Sequence, residues 1–318
     1  MQYSSTREAF INSLTELAGR NRKIVLVCAD SAKVIRADGF ADRFPERFID
    51  VGIAEQNAVA CASGMASCGL VPFVATYAGF ITMRACEQVR TFAAYPNLNV
   101  KMVGANGGIG AGEREGVTHQ FFEDLGILRT IPGVTIVVPA DASQVGKAVE
   151  VIADIPGPAY IRIGSGRDPV VFDEDLPFEL GKIRILKAYG EDVAVFVNGH
   201  AIPRALAAAE GLKALGIKAM VVEVHTLKPL DSEAIADVLK LTGAAVTVED
   251  HNIIGGLGSA VAEVIAERAP VPLSRIGIED RFPESGDAEQ LMDAYGLSVD
   301  DIMDACRRAV GRKERRSS

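Results

Sequence analysis

Phe48-Ile-Asp-Val-Gly-Ile-Ala-Glu55-Gln-Asn-Ala-Val-Ala60 passes from an apolar, β-branched stretch into small residues at helical spacing, with one carboxylate at the junction. A strand that leads directly into a helix is half of a βαβ unit. The same alternation runs outward in both directions. Strands are predicted at 23–28, 48–51, 71–75, 100–103, 135–138 and 159–163, and helices at 6–18, 54–68, 80–92, 124–129 and 142–153. Gly19 reads as a stop for the first helix, and Asp141-Ala-Ser143 offers oxygens to cap the last. After Gly164 the periodicity fails through Gly164-Ser-Gly-Arg-Asp-Pro169 and Phe172-Asp-Glu-Asp-Leu-Pro177, which reads as a linker. A second series follows, with strands at 193–198, 218–224, 245–249 and 273–278 and helices at 203–215, 232–240, 259–268 and 299–310. The expectation is an α/β protein of two domains, each a mostly parallel sheet flanked by helices. The ranges are 1–165, a linker over 166–184, 185–311, and a flexible tail over 312–318.

Composition narrows the function. The chain has 318 residues, and 33 Lys and Arg against 42 Asp and Glu give a net charge of −9, which disfavours a nucleic-acid partner. Five cysteines, at 28, 61, 68, 86 and 306, are odd in number and show no C-x-x-C spacing, so they read as reduced core residues of a cytoplasmic protein. The N-terminus lacks the build of a signal peptide, and no uncharged apolar run reaches the roughly 18 residues of a membrane span.

Three segments carry chemistry. Val51, Ile53, Ala54, Ala58 and Val59 surround Glu55 with apolar matter, a setting that suits a carboxyl for proton sharing. The bland alternative is a first-turn glutamate complementing the helix dipole. Gly104-Ala-Asn-Gly-Gly-Ile-Gly-Ala-Gly-Glu-Arg-Glu-Gly116-Val-Thr-His119-Gln holds six glycines after a strand, so its amides could approach a ligand closely. It is no dinucleotide fingerprint, because Glu115 stands where the third glycine of G-x-G-x-x-G belongs and no Walker lysine follows. The segment reads instead as a loop delivering His119. The run Gly255-Gly-Leu-Gly258-Ser also lacks the full pattern. In Tyr77-Ala-Gly-Phe80-Ile-Thr-Met83, a spacing of three puts Tyr77, Phe80 and Met83 on one helical face, with core packing as the plain alternative.

Taken in this order, the segments resemble the pyrimidine-binding half of thiamine-diphosphate enzymes of the transketolase family. Gly52-Ile-Ala-Glu55-Gln is similar to that family's Gly-x-x-Glu-His/Gln element, and Gly116-Val-Thr-His119-Gln to its Gly-Pro-Thr-His-Gln element. Thr226-Leu-Lys-Pro-Leu-Asp231 and Val248-Glu-Asp-His251-Asn with Gly255-Gly-Leu-Gly258 resemble its C-terminal domain. The resemblance implies that Glu55 hydrogen-bonds the cofactor's aminopyrimidine, that Tyr77 and Phe80 pack on that ring with Met83 at a third position, and that Asp30 lies near the pocket. It implies that His119 binds the ketose donor near its carbonyl, and that Arg7, Asn106, Glu115, Ser165 and Arg167 form an altered substrate-binding set. Glu115 replaces an aspartate, Ser165 aligns with an arginine that binds sugar phosphate, and an insertion around Arg114 reshapes the loop.

No Gly-Asp-Gly occurs in the sequence, whereas the family's N-terminal domain uses Gly-Asp-Gly…Asn to hold magnesium and the diphosphate. The resemblance therefore implies the C-terminal subunit of a split transketolase. Such a subunit shares thiamine diphosphate with a partner chain that supplies the Mg2+ ligands, dimerises within an α2β2 heterotetramer, and transfers a two-carbon ketol unit between sugars or sugar phosphates. The alternatives are a 1-deoxyxylulose-5-phosphate synthase-like or 2-oxo acid dehydrogenase β-like subunit, and a catalytically silent scaffold.

Overall fold

A computed structural model describes residues 2–110, 115–172 and 176–317; the insertion expected around Arg114 lies outside these. Seven strands form the first sheet in the order Thr226–Lys228, Thr135–Val137, Ala159–Arg162, Lys101–Ala105, Val71–Tyr77, Ile24–Cys28 and Phe48–Asp50. All pair in parallel except Thr226–Lys228, which adds antiparallel to Thr135–Val137. Ile24–Cys28 and Lys101–Ala105 are buried throughout, as expected of strands covered by helices on both faces. The second sheet orders Leu273–Ile278, Ala245–Asn252, Val193–Val197, Ala219–Glu223 and Arg184–Ala188, the last antiparallel.

Helix boundaries follow their caps. Thr6–Arg20 begins where the Ser5 hydroxyl accepts the Glu8 amide, and Ala142–Asp154 begins where the Asp141 carboxylate accepts the Gln144 amide. The first helix passes through Gly19 and ends at Asn21, whose amide reaches the Leu17 carbonyl. The helix predicted over 80–92 is interrupted: Phe80–Arg84 and Val89–Ala94 are π-helical on either side of Cys86–Gln88. The wider turn needs a tertiary partner, which no local pattern announces.

The two halves are more fused than a linker between independent domains implies. One apolar core runs from Val25, Ala58 and Val74 of the first half to Phe196, Val222 and Leu257 of the second. Asp168–Pro169, expected in the linker, pairs antiparallel with Tyr3–Ser4. The tail is not free either. Helix Val299–Ser317 continues through it, with Arg312 donating to the Leu273 carbonyl and the Ser274 hydroxyl and Lys313 to the Thr242 carbonyl. Cys28 and Cys306 are buried, and burial pushes each thiol up to about 12, whereas Cys68 is exposed and is no core residue. No described helix is long and apolar enough to cross a membrane.

The topology decides where the chemistry sits. Strand Ile24–Cys28 connects outward to Phe48–Asp50, and Val71–Tyr77 connects to Lys101–Ala105 on the opposite side. The crevice at such a switch point, beyond the carboxyl ends of the strands, is where open α/β sheets bind ligands. Asp30, Tyr77, Asn106 and Ser165 each lie at or just past the carboxyl end of a parallel strand.

Candidate active site

Glu55 opens the helix Glu55–Ser67 and is only 4% exposed. Arg84 donates from Nη1 to its Oε1 at 2.9 Å, and the same guanidinium lies 3.6 Å above the centre of the Phe80 ring. The π-helical turn Phe80–Arg84 thus sets both the aromatic face and the cation that meets the buried carboxylate. Arg84 carries no recognisable motif; only its place four residues after Phe80 hints at a shared face.

Tyr77 ends strand Val71–Tyr77 and so does not share a helical face with Phe80 and Met83, contrary to the spacing argument. The ring pair nevertheless forms, with Tyr77 and Phe80 centroids 5.2 Å apart, edge to face. His119 packs edge-on against both, at 4.9 Å from Tyr77 and 5.2 Å from Phe80. Phe121, absent from the sequence-based set, closes the cluster at 5.2 Å from Phe80. Gly79 makes this possible: a Cβ there would lie 1.9 Å from the Phe121 ring. The His119 Nδ1 meets the Thr118 hydroxyl at 2.9 Å. Met83 is exposed, as are Ile53 and Val117. The core-packing alternative fails for these rings, since Tyr77, Phe80 and His119 are only half-buried.

Beside the cluster, Arg7 donates to Asn106 Oδ1 and, from Nε at 3.3 Å, to the Gly164 carbonyl. Burial lowers its guanidinium from the ordinary value, against the opposing charges of Tyr77, Asp168 and Glu115. Burial likewise raises the Tyr77 phenol, against the pull of Arg7. Asn106 is buried and left-handed, with φ of 56°, a conformation Asn tolerates better than most residues. Glu115 is exposed within charge range of Arg7 and Tyr77.

Three predicted residues stand apart from the ring cluster. Asp30 is exposed, and its amide donates to Asp50 Oδ1. Ser165 and Arg167 line a cleft of about 380 Å³ between the domains, together with His200 and Arg204. Arg167 rests over the Tyr3 ring at 4.8 Å. Gly164 sits between Arg7 and His200: its carbonyl accepts the Arg7 Nε, and a Cβ added to it would strike Asp168 and His200.

Two glycines of the glycine-rich loop lie where other side chains of the protein pass. A Cβ at Gly107 would lie 2.1 Å from Arg162 Nε, and one at Gly108 would lie 2.0 Å from Asp250 Oδ2. These glycines admit side chains of the protein itself. Among the described residues, no group of three His, Cys, Asp or Glu side chains is placed to hold a metal ion.

Residues 2–166 match the pyrimidine binding domain of transketolase and residues 181–302 its C-terminal domain. The chain is 40% identical over 307 residues to a 6-deoxy-6-sulfo-D-fructose transketolase subunit of Clostridium sp. (strain MSTE9), covering 96% of this chain and 95% of that protein. It is 38% identical over 305 residues to an apulose-4-phosphate transketolase subunit of Phocaeicola vulgatus, covering 96% of each. A solved structure described as a split gene transketolase, an inactive beta4 tetramer, superposes with a TM-score of 0.90 at 42% identity, covering 98% of this chain and 99% of that one. With both domain matches together spanning most of its length and relatives similar end to end, the chain belongs to the transketolase family as a C-terminal subunit of the split kind.

Proposed function

We propose that this subunit, together with an N-terminal partner subunit, forms a thiamine-diphosphate-dependent transketolase that moves a two-carbon ketol unit from a ketose or ketose phosphate to an aldose. The observation that carries the proposal is the buried Glu55 carboxylate held by Arg84, whose guanidinium covers the Phe80 ring that packs on Tyr77, at the carboxyl edge of a parallel sheet. An aminopyrimidine, flat and with a nitrogen able to accept a proton, fits a buried acid near an aromatic wall. When bound, the cofactor supplies the carbanion chemistry that cleaves and reforms a carbon–carbon bond next to a carbonyl.

This chain's residues have separate tasks. Glu55 holds a proton at the pyrimidine, Tyr77 and Phe80 orient the ring with Met83 at its margin, and Asp30 borders the pocket. His119 hydrogen-bonds the donor near its carbonyl, where charge develops. Arg7, steadied by Asn106, binds the distal polar or anionic end of the sugar with Glu115, and Ser165 and Arg167 extend that set. The diphosphate and its Mg2+ are assigned to the partner subunit, and an α2β2 assembly covers the exposed Ile53, Met83 and Val117 around the site. A cytoplasmic location belongs to the same proposal.

The test is Glu55→Gln in the reconstituted pair, with a ketose phosphate, 6-deoxy-6-sulfo-D-fructose and apulose 4-phosphate as alternative donors. Turnover should fall at least about 10²-fold, the scale of a lost proton-transfer group. Full activity in this variant would falsify the role of Glu55. Release of CO2 from pyruvate, with no ketol transfer from any of the three sugars, overturns the reaction assignment.

A further inference from the structure

We infer that Asp250, in the second domain, is the positioning residue for the loop that presents Glu115 and His119; the functional consequence rests on the proposed donor-binding role of His119. Asp250 is buried near the end of strand Ala245–Asn252. Its carboxylate accepts two consecutive amides across the domain junction, Ile109 at 2.9 Å on Oδ1 and Gly110 at 3.2 Å on Oδ2. No described Lys, Arg or His side chain forms an ion pair with this carboxylate. A buried acid is costly unless its lone pairs are filled, and here the loop backbone fills them.

The other end of the loop is tied to the same place. The Phe121 carbonyl accepts the Gly108 amide at 2.7 Å and Arg162 Nη2 at 2.9 Å, while Arg162 Nη1 donates to the Asp250 carbonyl at 2.8 Å. One residue further, the Asn252 amide donates to the Phe122 carbonyl at 2.7 Å. Both feet of the loop therefore stand on residues 250–252, and His119 lies two residues before the second foot. Gly108, at φ of 90°, leaves open the slot that the Asp250 carboxylate fills. The second domain thereby holds the loop that sets His119 against Tyr77 and Phe80.

The experiment compares Asp250→Asn, Asp250→Ala and Gly108→Ala in the complex reconstituted with the partner subunit. It measures hydrogen exchange, donor kcat and KM, and thiamine diphosphate affinity. Asn keeps one acceptor oxygen, so Ile109 and Gly110 should exchange about tenfold faster in Asp250→Asn and faster still in Asp250→Ala. Strands Val193–Val197 and Ala219–Glu223 should keep wild-type exchange. Donor kcat/KM should fall in the same order, about tenfold and then about a hundredfold, with cofactor affinity unchanged. Gly108→Ala, which drives a methyl into the carboxylate, should reproduce the Asp250→Ala pattern. Wild-type donor kinetics in Asp250→Ala overturn the inference, as does faster exchange spread evenly through the second domain. Unchanged donor kinetics in His119→Ala would instead overturn the proposed role of His119, while the exchange pattern still decides whether Asp250 holds the loop.

Discussion

Replacing Arg162 with Met isolates the energetics of the domain junction. Arg162 is 6% exposed; it forms an ion pair with Asp124 Oδ1 at 3.0 Å and donates to the Asp250 carbonyl at 2.8 Å and the Phe121 carbonyl at 2.9 Å. Burial alone would lower its guanidinium, but the charges of Asp124 and Asp250 hold it above the ordinary value. Met fills most of the aliphatic volume yet strands the Asp124 carboxylate, which is fully buried and keeps only the Tyr160 hydroxyl at 2.6 Å. Breaking a buried ion pair from one side costs about 3–5 kcal/mol, and losing the bond to the Asp250 carbonyl adds about 1 kcal/mol, whereas the Phe121 carbonyl keeps the Gly108 amide. The expected loss of about 5 kcal/mol is a large share of a protein's total stability. Urea unfolding followed by far-ultraviolet circular dichroism at neutral pH gives the difference. If the stranded charge dominates, Arg162→Met combined with Asp124→Asn should recover about 2 kcal/mol relative to the single variant. A single-variant loss under about 1 kcal/mol, the scale of an exposed pair, refutes this reasoning, as does a double variant no more stable than the single.

Three further outcomes follow from individual contacts. Gly79→Ala places a Cβ 1.9 Å from the Phe121 ring and should cost about 1–3 kcal/mol with a changed near-ultraviolet dichroism; an unchanged spectrum and midpoint contradict it. Burial raises Glu223 to about 7 against the Gln144 hydrogen bond, so the folded state keeps a proton that the unfolded chain releases from 4.5 upward, and stability is lost as pH rises through that window. Glu223→Gln should therefore stabilise by on the order of 2 kcal/mol near pH 8 and by little near pH 4, a contrast that thermal melts at the two values test. Burial lowers His200, but the Asp168 carboxylate at 2.9 Å outweighs this, with Asp250 adding and Arg162 opposing, so its value is raised above 6.5. Its stabilisation is fully present below pH 6.5 and lost as pH rises through the folded value, so His200→Gln should flatten stability between about pH 6 and pH 8; an unaltered slope counts against the pairing.

The elements that could be read in advance are those whose signal is local. Ile24–Cys28 and Val193–Val197 are continuous apolar runs, and Asp141 caps its helix from a position visible in the sequence. Glu55 and His119 stand in short motifs, and the structure brings His119 to Tyr77 and Phe80 and leaves Glu55 buried beside Arg84. Residues that act across long separations were not legible. Asp250 meets Gly110 across 140 positions, and Thr226–Lys228 leaves its own half to pair with Thr135–Val137.

From the amino-acid order alone came the alternating α/β architecture, the two halves and the motifs that mark the pyrimidine side of the site, because periodicity and turn chemistry act within a few residues. Only the tertiary structure decided that Arg84 turns back onto Glu55 and that the loop glycines make room for Arg162 and Asp250. It also decided that the two halves share one core. The physical reason is that these choices depend on which side chains desolvate one another. Burial and hydrogen-bond satisfaction are properties of the packed chain as a whole.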